Sequence, residues 1–226
     1  AAASLSDAFH EIAATFEKAH PGSSVELNFG GSSTLRTQID QGAPADVFAS
    51  ADLEHAQALA DAGRLGAPRV FARNRLVVVV PAAGARVHAV ADLAAPGIKV
   101  VMAGPTVPAG RYAAQALAGL DEARTFGAGF AAKVQANVVS QETNVRLVLS
   151  KVALGEADAG FVYATDATGA ADKVKTLALP AAGAVTAEYA IGVVTRSPAA
   201  GPARAFVEMV AGPEGQAILR RHGFAP

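Results

Sequence analysis

Four places in this 226-residue chain put a hydroxyl or a bare backbone amide where a helix is expected to begin. Ser4, in Ala1-Ala2-Ala3-Ser4-Leu5, precedes an apolar stripe of Phe9, Ile12, Ala13 and Phe16 at i, i+3, i+4, i+7 spacing. Ser32 and Ser33, in Gly30-Gly31-Ser32-Ser33-Thr34-Leu35, open a second helix. Val107-Pro108-Ala109-Gly110 opens a third, whose inner face is Ala113, Ala116, Leu117 and Leu120. Thr143-Asn144-Val145 opens a fourth, with Val145, Val148, Leu149 and Val152 on one side. A helix start has unpaired N–H groups and roughly half a positive charge. It therefore attracts an anion without help from Lys or Arg. Gly30 and Gly31 lack a Cβ, so the backbone there can come close to a ligand. Each position also has an ordinary reading, because Ser, Thr and Asn are common helix caps. Their joint occurrence at successive helix starts is what points to a pocket for a small anion. Tyr163, closing the run Gly160-Phe161-Val162-Tyr163, reads as a half-buried aromatic or as a phenolic donor to the same pocket.

Other chemistries are poorly represented. His10, His20, His55, His88 and His222 have no HxH or HExxH spacing, which argues against a histidine metal site. There is no GxSxG and no His/Asp pair in triad form, no GxGxxG and no GxxxxGK[ST]. With no Cys there is no thiolate ligand, nucleophile or disulfide. Glu54, Glu142 and Glu156 read as solvated helix surface, and Arg220-Arg221-His222 as cations suited to a helix end. Nineteen Lys and Arg against 20 Asp and Glu exclude the basic footprint of a nucleic-acid binder. A content of 51% hydrophobic and 17% charged residues excludes a disordered chain. The longest strongly apolar run, residues 76–81, falls far short of the roughly 20 residues a membrane helix needs. The start lacks the basic and apolar regions of an export signal, so any such signal is expected to have been removed.

The elements that must hold these residues alternate. Strands are expected at residues 25–29, 46–50, 76–80, 98–102, 160–163, 174–179 and 189–194, the third apolar throughout and so buried on both faces. Helices are expected after Ser4, over 33–41 and 52–62, from Pro108, from Val145, and over 202–211 and 213–222. Repeated β-then-α units imply an α/β fold with mostly parallel sheets and helices on both faces. In such sheets ligands gather beyond the carboxyl ends of the strands. We expect two lobes, 1–75 plus 187–226 and 76–186, joined by a two-stranded hinge, with the ligand cleft between them.

The motifs Ala1-Ala2-Ala3-Ser4-Leu5, Gly31-Ser32-Ser33-Thr34-Leu35, Gly42-Ala43-Pro44-Ala45-Asp46-Val47-Phe48, Val107-Pro108-Ala109-Gly110-Arg111-Tyr112 and Gly160-Phe161-Val162-Tyr163 occur in this order. So arranged, the chain resembles the periplasmic molybdate-binding proteins, the solute receptors of molybdate ABC importers. The likeness continues to Gly212-Pro213-Glu214-Gly215 and His222-Gly223-Phe224. It implies a type II periplasmic binding protein fold closing over one tetrahedral oxyanion, molybdate or tungstate. The protein would be a monomeric, periplasmic, non-catalytic receptor with no cofactor, delivering its ligand to a membrane permease and holding molybdenum only as the oxyanion. Carried over motif by motif, Ser4 and Ser32 would each give a hydroxyl and an N–H, Ala109 and Val145 an N–H, and Tyr163 its O–H. Ser33 and Tyr112 are secondary candidates. Relatives usually carry a few strand residues before the first alanines. Asp7, where relatives often have a neutral residue, is read as a first-turn residue facing solvent. The donor set offers no acceptor, so hydrogen phosphate should be refused unless Asp7 turns inward. Three alternatives stand beside this reading. They are a receptor for sulfate or thiosulfate, an anion-binding enzyme with Asp7 as its only candidate base, and the effector domain of a regulator, for which no helix-turn-helix is present.

Overall fold

Leu76, Val77, Val78, Val79 and Val80 are all buried, as an unbroken apolar strand requires. In the computed structural model, which describes residues 1–226, they form the second half of a longer strand. In chain order the elements are α1 (Ser6–Ala19), α2 (Ser32–Asp40), β1 (Val47–Ser50), α3 (Leu53–Asp61), β2 (Arg69–Pro81), β3 (Val100–Ala103), α4 (Pro108–Glu122), α5 (Phe130–Ala136), β4 (Val138–Glu142), α6 (Val145–Ala153), β5 (Ala159–Tyr163), α7 (Ala164–Thr168), β6 (Val174–Leu177), β7 (Thr186–Val193), α8 (Ala200–Ala211) and α9 (Pro213–Arg221). A 3-10 turn, Ala3–Leu5, leads directly into α1. The chain divides into two compact units, Ala1–Asn74 with Glu188–Pro226, and Arg75–Ala187. It leaves the first unit within β2 and returns within β7, so both crossings are made by strand rather than loop.

In the first unit β1 runs antiparallel to β7, from Val47 opposite Val193 to Ser50 opposite Ala190. Leu35 and Ile39 of α2, Ala56 and Leu59 of α3, Phe48 and Ala190 pack into one cluster with Leu65 and Val194. The stripe of α1 is buried as its spacing demands, with Phe9 and Phe16 6.1 and 5.3 Å from Phe206 of α8. The strand expected at residues 25–29 does not form. Residues 1–3 meet this segment in a parallel bridge between Ala2 and Gly30, with Ala3 N–H donating to Gly30 O at 2.9 Å.

In the second unit β3 lies parallel to β4 and to β5. β2 runs antiparallel to β5, with Leu76 opposite Tyr163, and also antiparallel to β6. The sheets are thus mixed rather than mostly parallel, because the strands that carry the chain between units oppose their neighbours. Three elements escape the periodicity: α5 and α7 span seven and five residues, and β4 is an exposed-edge strand with Val139 59% exposed.

The joint between β3 and α4 is unusually close. A Cβ on Gly110 would lie 2.1 Å from Gly104 O and 2.4 Å from Ala103 O. Gly201 in α8 has nothing within 4 Å of the same position. Gly110→Ala is therefore expected to lower stability by about 1–3 kcal/mol through overpacking, and Gly201→Ala to cause no loss. Urea unfolding curves compare the two, and equal midpoints would contradict the close packing.

Candidate functional site

In the first unit the two predicted serines are brought to neighbouring turns. Ala2 N–H donates to Ala49 O at 2.8 Å, and Ala3 N–H to Gly30 O at 2.9 Å, tying residues 2–3, 30 and 49 together. Ser4 and Ser32 are both buried, at 3% and 1% exposure, although serine ordinarily prefers solvent. Ser4 lies in the 3-10 turn, and its Oγ is 2.8 Å from the Tyr189 hydroxyl. Ser32 is the first residue of α2, and its Oγ accepts from Ala51 N–H at 3.0 Å. Neither serine holds the N-cap position, which falls to Ala2 and Gly31, and the serine hydroxyls bond to Tyr189 and Ala51 rather than to their own helix starts. That removes the ordinary reading of Ser32. Ser33 is only half-buried, and its carbonyl accepts from the Thr37 hydroxyl. Asp7 is exposed on α1, its carboxylate accepting from Ser6 Oγ at 3.3 Å.

In the second unit the remaining donors lie at the carboxyl ends of adjacent strands. β3 leads to α4, whose first turn holds Pro108, Ala109 and Gly110, all buried, with no side-chain cap. Proline at the first position has no N–H, so Ala109 carries the first amide of that helix. β4 leads to Asn144, which caps α6 by accepting from Arg146 N–H at 3.0 Å and Leu147 N–H at 3.2 Å. The cap takes the second and third amides and leaves that of Val145, which is buried, outside its reach. β5 ends at Tyr163, fully buried rather than half-buried, with its ring 6.4 Å from that of Tyr112 at 70°. Tyr112 itself is half-buried. The ends are locked together by Gly104 N–H donating to Glu142 O at 2.8 Å, and by an Arg146–Asp166 ion pair of 2.8 Å. Asp166 also accepts from Tyr163 N–H. The ion pair joins the first turns of α6 and α7 and cancels the only fully buried carboxylate of this unit.

Three side chains stand elsewhere than the sequence suggests. Glu142 is not solvated helix surface. It ends β4, where Lys151 Nζ lies 2.6 Å away and Ser140 Oγ donates to it at 2.5 Å. Burial pushes its carboxyl up, but the Lys151 and Ser140 bonds outweigh that and hold it below its ordinary 4.5. The other two, His55 and Asp52, form a buried pair with Ser50 that the sequence did not reveal. Ser50 Oγ donates to Asp52 at 3.1 Å and His55 Nδ1 lies 2.9 Å from the same carboxylate. Serine and histidine both face the acid, whereas a hydrolytic triad needs the histidine against the serine. Asp52 accepts the His55 N–H as the cap of α3, so the trio is wired for structure. No three His, Asp or Glu side chains come together as a metal cluster.

Tyr189, Arg146 and Asp166 are the site-shaping residues that sequence reasoning missed. Asp166 follows three residues after the strand end Tyr163, the spacing of a residue that reaches back to a helix start. That signal was available. Tyr189 shows in the sequence only as an aromatic at the head of an aliphatic strand.

Buried serines thus lie in one α/β unit, and the helix-start amides of Ala109 and Val145 in the other. Residues 1–225 match the bacterial extracellular solute-binding protein family, and the chain belongs to that family. It is 42% identical to the molybdate-binding protein ModA of Mycobacterium tuberculosis H37Rv, an alignment covering 100% of this chain and 82% of that protein. Its fold matches the Azotobacter vinelandii periplasmic molybdate-binding protein with a TM-score of 0.83, at 25% identity and covering 100% and 96% of the two chains. The sulfate-binding protein SubI of M. tuberculosis H37Rv superposes with a TM-score of 0.87 at 20% identity, over 100% and 84%, a likeness of fold. The α/β fold is that of the type II periplasmic binding proteins. No helix is long and apolar enough to cross a membrane.

The Glu142 network yields a pH test. A carboxyl held low in the folded chain stabilises it above the unfolded value near 4.5, and that stabilisation is lost as pH falls through the lower folded value. Glu142→Gln is thus expected to lower the melting midpoint at neutral pH, with the gap to wild type closing in acid. A gap of constant size across that range, by scanning calorimetry, would remove the ion pair from the account.

Proposed function

We propose that this protein is a non-catalytic receptor for molybdate, with tungstate as a second ligand, that hands the oxyanion to the permease of an ABC importer on the outer side of the cytoplasmic membrane. Ser4 and Ser32 supply a hydroxyl and an N–H each, Ala109 and Val145 an N–H each, and Tyr163 its phenol. Donors from both units serve one ligand, and the receptor works as a monomer without a cofactor. The observation that carries this reading is the burial of Ser4 and Ser32 with each hydroxyl bonded outside its own helix start. The 42% identity to a molybdate-binding protein over the whole chain supports the choice of oxyanion.

Molybdate, tungstate and sulfate are fully deprotonated dianions near neutral pH and need only donors. Hydrogen phosphate brings its own hydrogen and needs an acceptor, which this set does not provide. Hydrogen bonds to a charged group contribute roughly 1.5–3 kcal/mol each. Because the ligand joins donors from both units, it stabilises the conformation in which they meet.

A thermal-shift panel of molybdate, tungstate, sulfate, thiosulfate and phosphate tests the reading, since a ligand of the native state raises the midpoint with its affinity. Molybdate and tungstate are expected to give the large shifts. A larger shift with sulfate or thiosulfate would reassign the receptor, and none with any oxyanion would refute it. Calorimetry is expected to show Ser32→Ala and Tyr163→Phe each weakening molybdate by about 1–3 kcal/mol in a folded protein. Loss from one unit's variant alone would confine the ligand to that unit.

A further inference from the structure

Tyr189 is fully buried on β7, and its phenol oxygen lies 2.8 Å from Ser4 Oγ. Its ring stands edge-on to Phe71 and Phe224, with centroids 6.3 and 5.3 Å away. Packing by two rings therefore fixes where the phenol group sits. A serine hydroxyl has one hydrogen to give and an oxygen that accepts others. One hydrogen alone can occupy the Ser4–Tyr189 bond. If Ser4 gives its hydrogen to an oxyanion, the bond to Tyr189 must be made with the phenol's hydrogen. A phenol is more acidic than an alcohol and so the stronger hydrogen-bond donor, which suits it to that role. Ser32 shows the same wiring without ambiguity, because its oxygen accepts from the Ala51 amide, which can only donate.

We infer that Tyr189 is a positioning residue that sets ligand specificity. By donating to Ser4 Oγ it directs the Ser4 hydrogen toward the ligand and occupies the oxygen as an acceptor. The inference rests on the oxyanion-receptor reading and adds to it the residue that keeps Ser4 a donor. Linked hydrogen bonds polarise one another, so the phenol also strengthens the bond that Ser4 makes. A fully deprotonated oxyanion gains from this arrangement. A protonated one, such as hydrogen phosphate, has to place its own hydrogen and meets serine oxygens already engaged by Tyr189 and Ala51.

Tyr189→Phe removes the hydroxyl and keeps the ring that Phe71 and Phe224 hold. Isothermal titration with molybdate and with phosphate reads the result. The molybdate Kd is expected to rise about three- to tenfold, as loss of one hydrogen bond dictates, while phosphate binding holds or tightens. The preference for molybdate then falls by at least that factor. A purely structural role would lower the melting midpoint and leave the ratio of the two affinities unchanged, which would overturn the inference. In a Ser4→Ala background, Tyr189→Phe is expected to change the ratio no further, and an undiminished effect there would also overturn it. Should Tyr189→Phe fail to fold, 3-fluorotyrosine at position 189, a stronger donor of nearly the same size, is expected to tighten molybdate about twofold and leave phosphate alone. No change on fluorination would count against the inference. Failure of the receptor reading looks different: wild type itself gives no binding heat with molybdate, and Ser4→Ala matches it.

Discussion

A hydrogen-bond donor can hold an anion only if its hydrogen is not already engaged by the chain, and that single condition governs most of what surrounds the candidate site. Backbone amides inside helices and strands are engaged by definition. The exceptions are helix starts, where geometry leaves the first amides without a partner. Side-chain hydroxyls are harder to keep available, because a buried hydroxyl that finds no partner is costly. Ser32 meets the condition directly, because its oxygen accepts from the Ala51 amide. Ser4 Oγ pairs with the Tyr189 hydroxyl in a bond that either oxygen can donate, and both bonds make burial tolerable. Charge is not required, which fits a chain with a formal net charge of −1.

The helix starts of the second unit show the same economy. Asn144 takes two amides of α6 and stops short of Val145. Proline at the head of α4 removes an amide that would otherwise need a partner, and makes Ala109 the first donor. The Arg146–Asp166 pair sits behind both α6 and Tyr163, and its charges cancel, so a rigid link is gained without presenting a carboxylate to an anion. Removing one partner of such a pair would strand the other charge in the interior.

Much of this was readable from residue order, and the reasons are physical. Long amphipathic helices such as α1, α4 and α6 repeat their apolar residues often enough to be unmistakable, and their first residues can then be placed to within one or two positions. The apolar run at Leu76 announces a strand covered on both faces. The helix starts at Ser32, Pro108 and Val145 were legible too, because helix starts are local features. What escaped notice was non-local or short. Residues 25–29 alternate as a strand should, yet alternation alone does not say whether a partner strand lies alongside. Glu142 looks like a surface acid until β4 brings it beside Lys151. Tyr189 stands 185 residues from Ser4, and nothing in either neighbourhood suggests that the two meet. The pairing of Ser50, Asp52 and His55 lies close in sequence, but only the turn into α3 reveals that the acid stands between the other two.

Gly110 carries a consequence for where the first amide of α4 sits. The start of α4 rests directly on the backbone of Ala103 and Gly104, with no side chain between them to compress or rotate. The Ala109 amide is therefore held at a set distance from the end of β3, and any side chain at residue 110 would have to displace it.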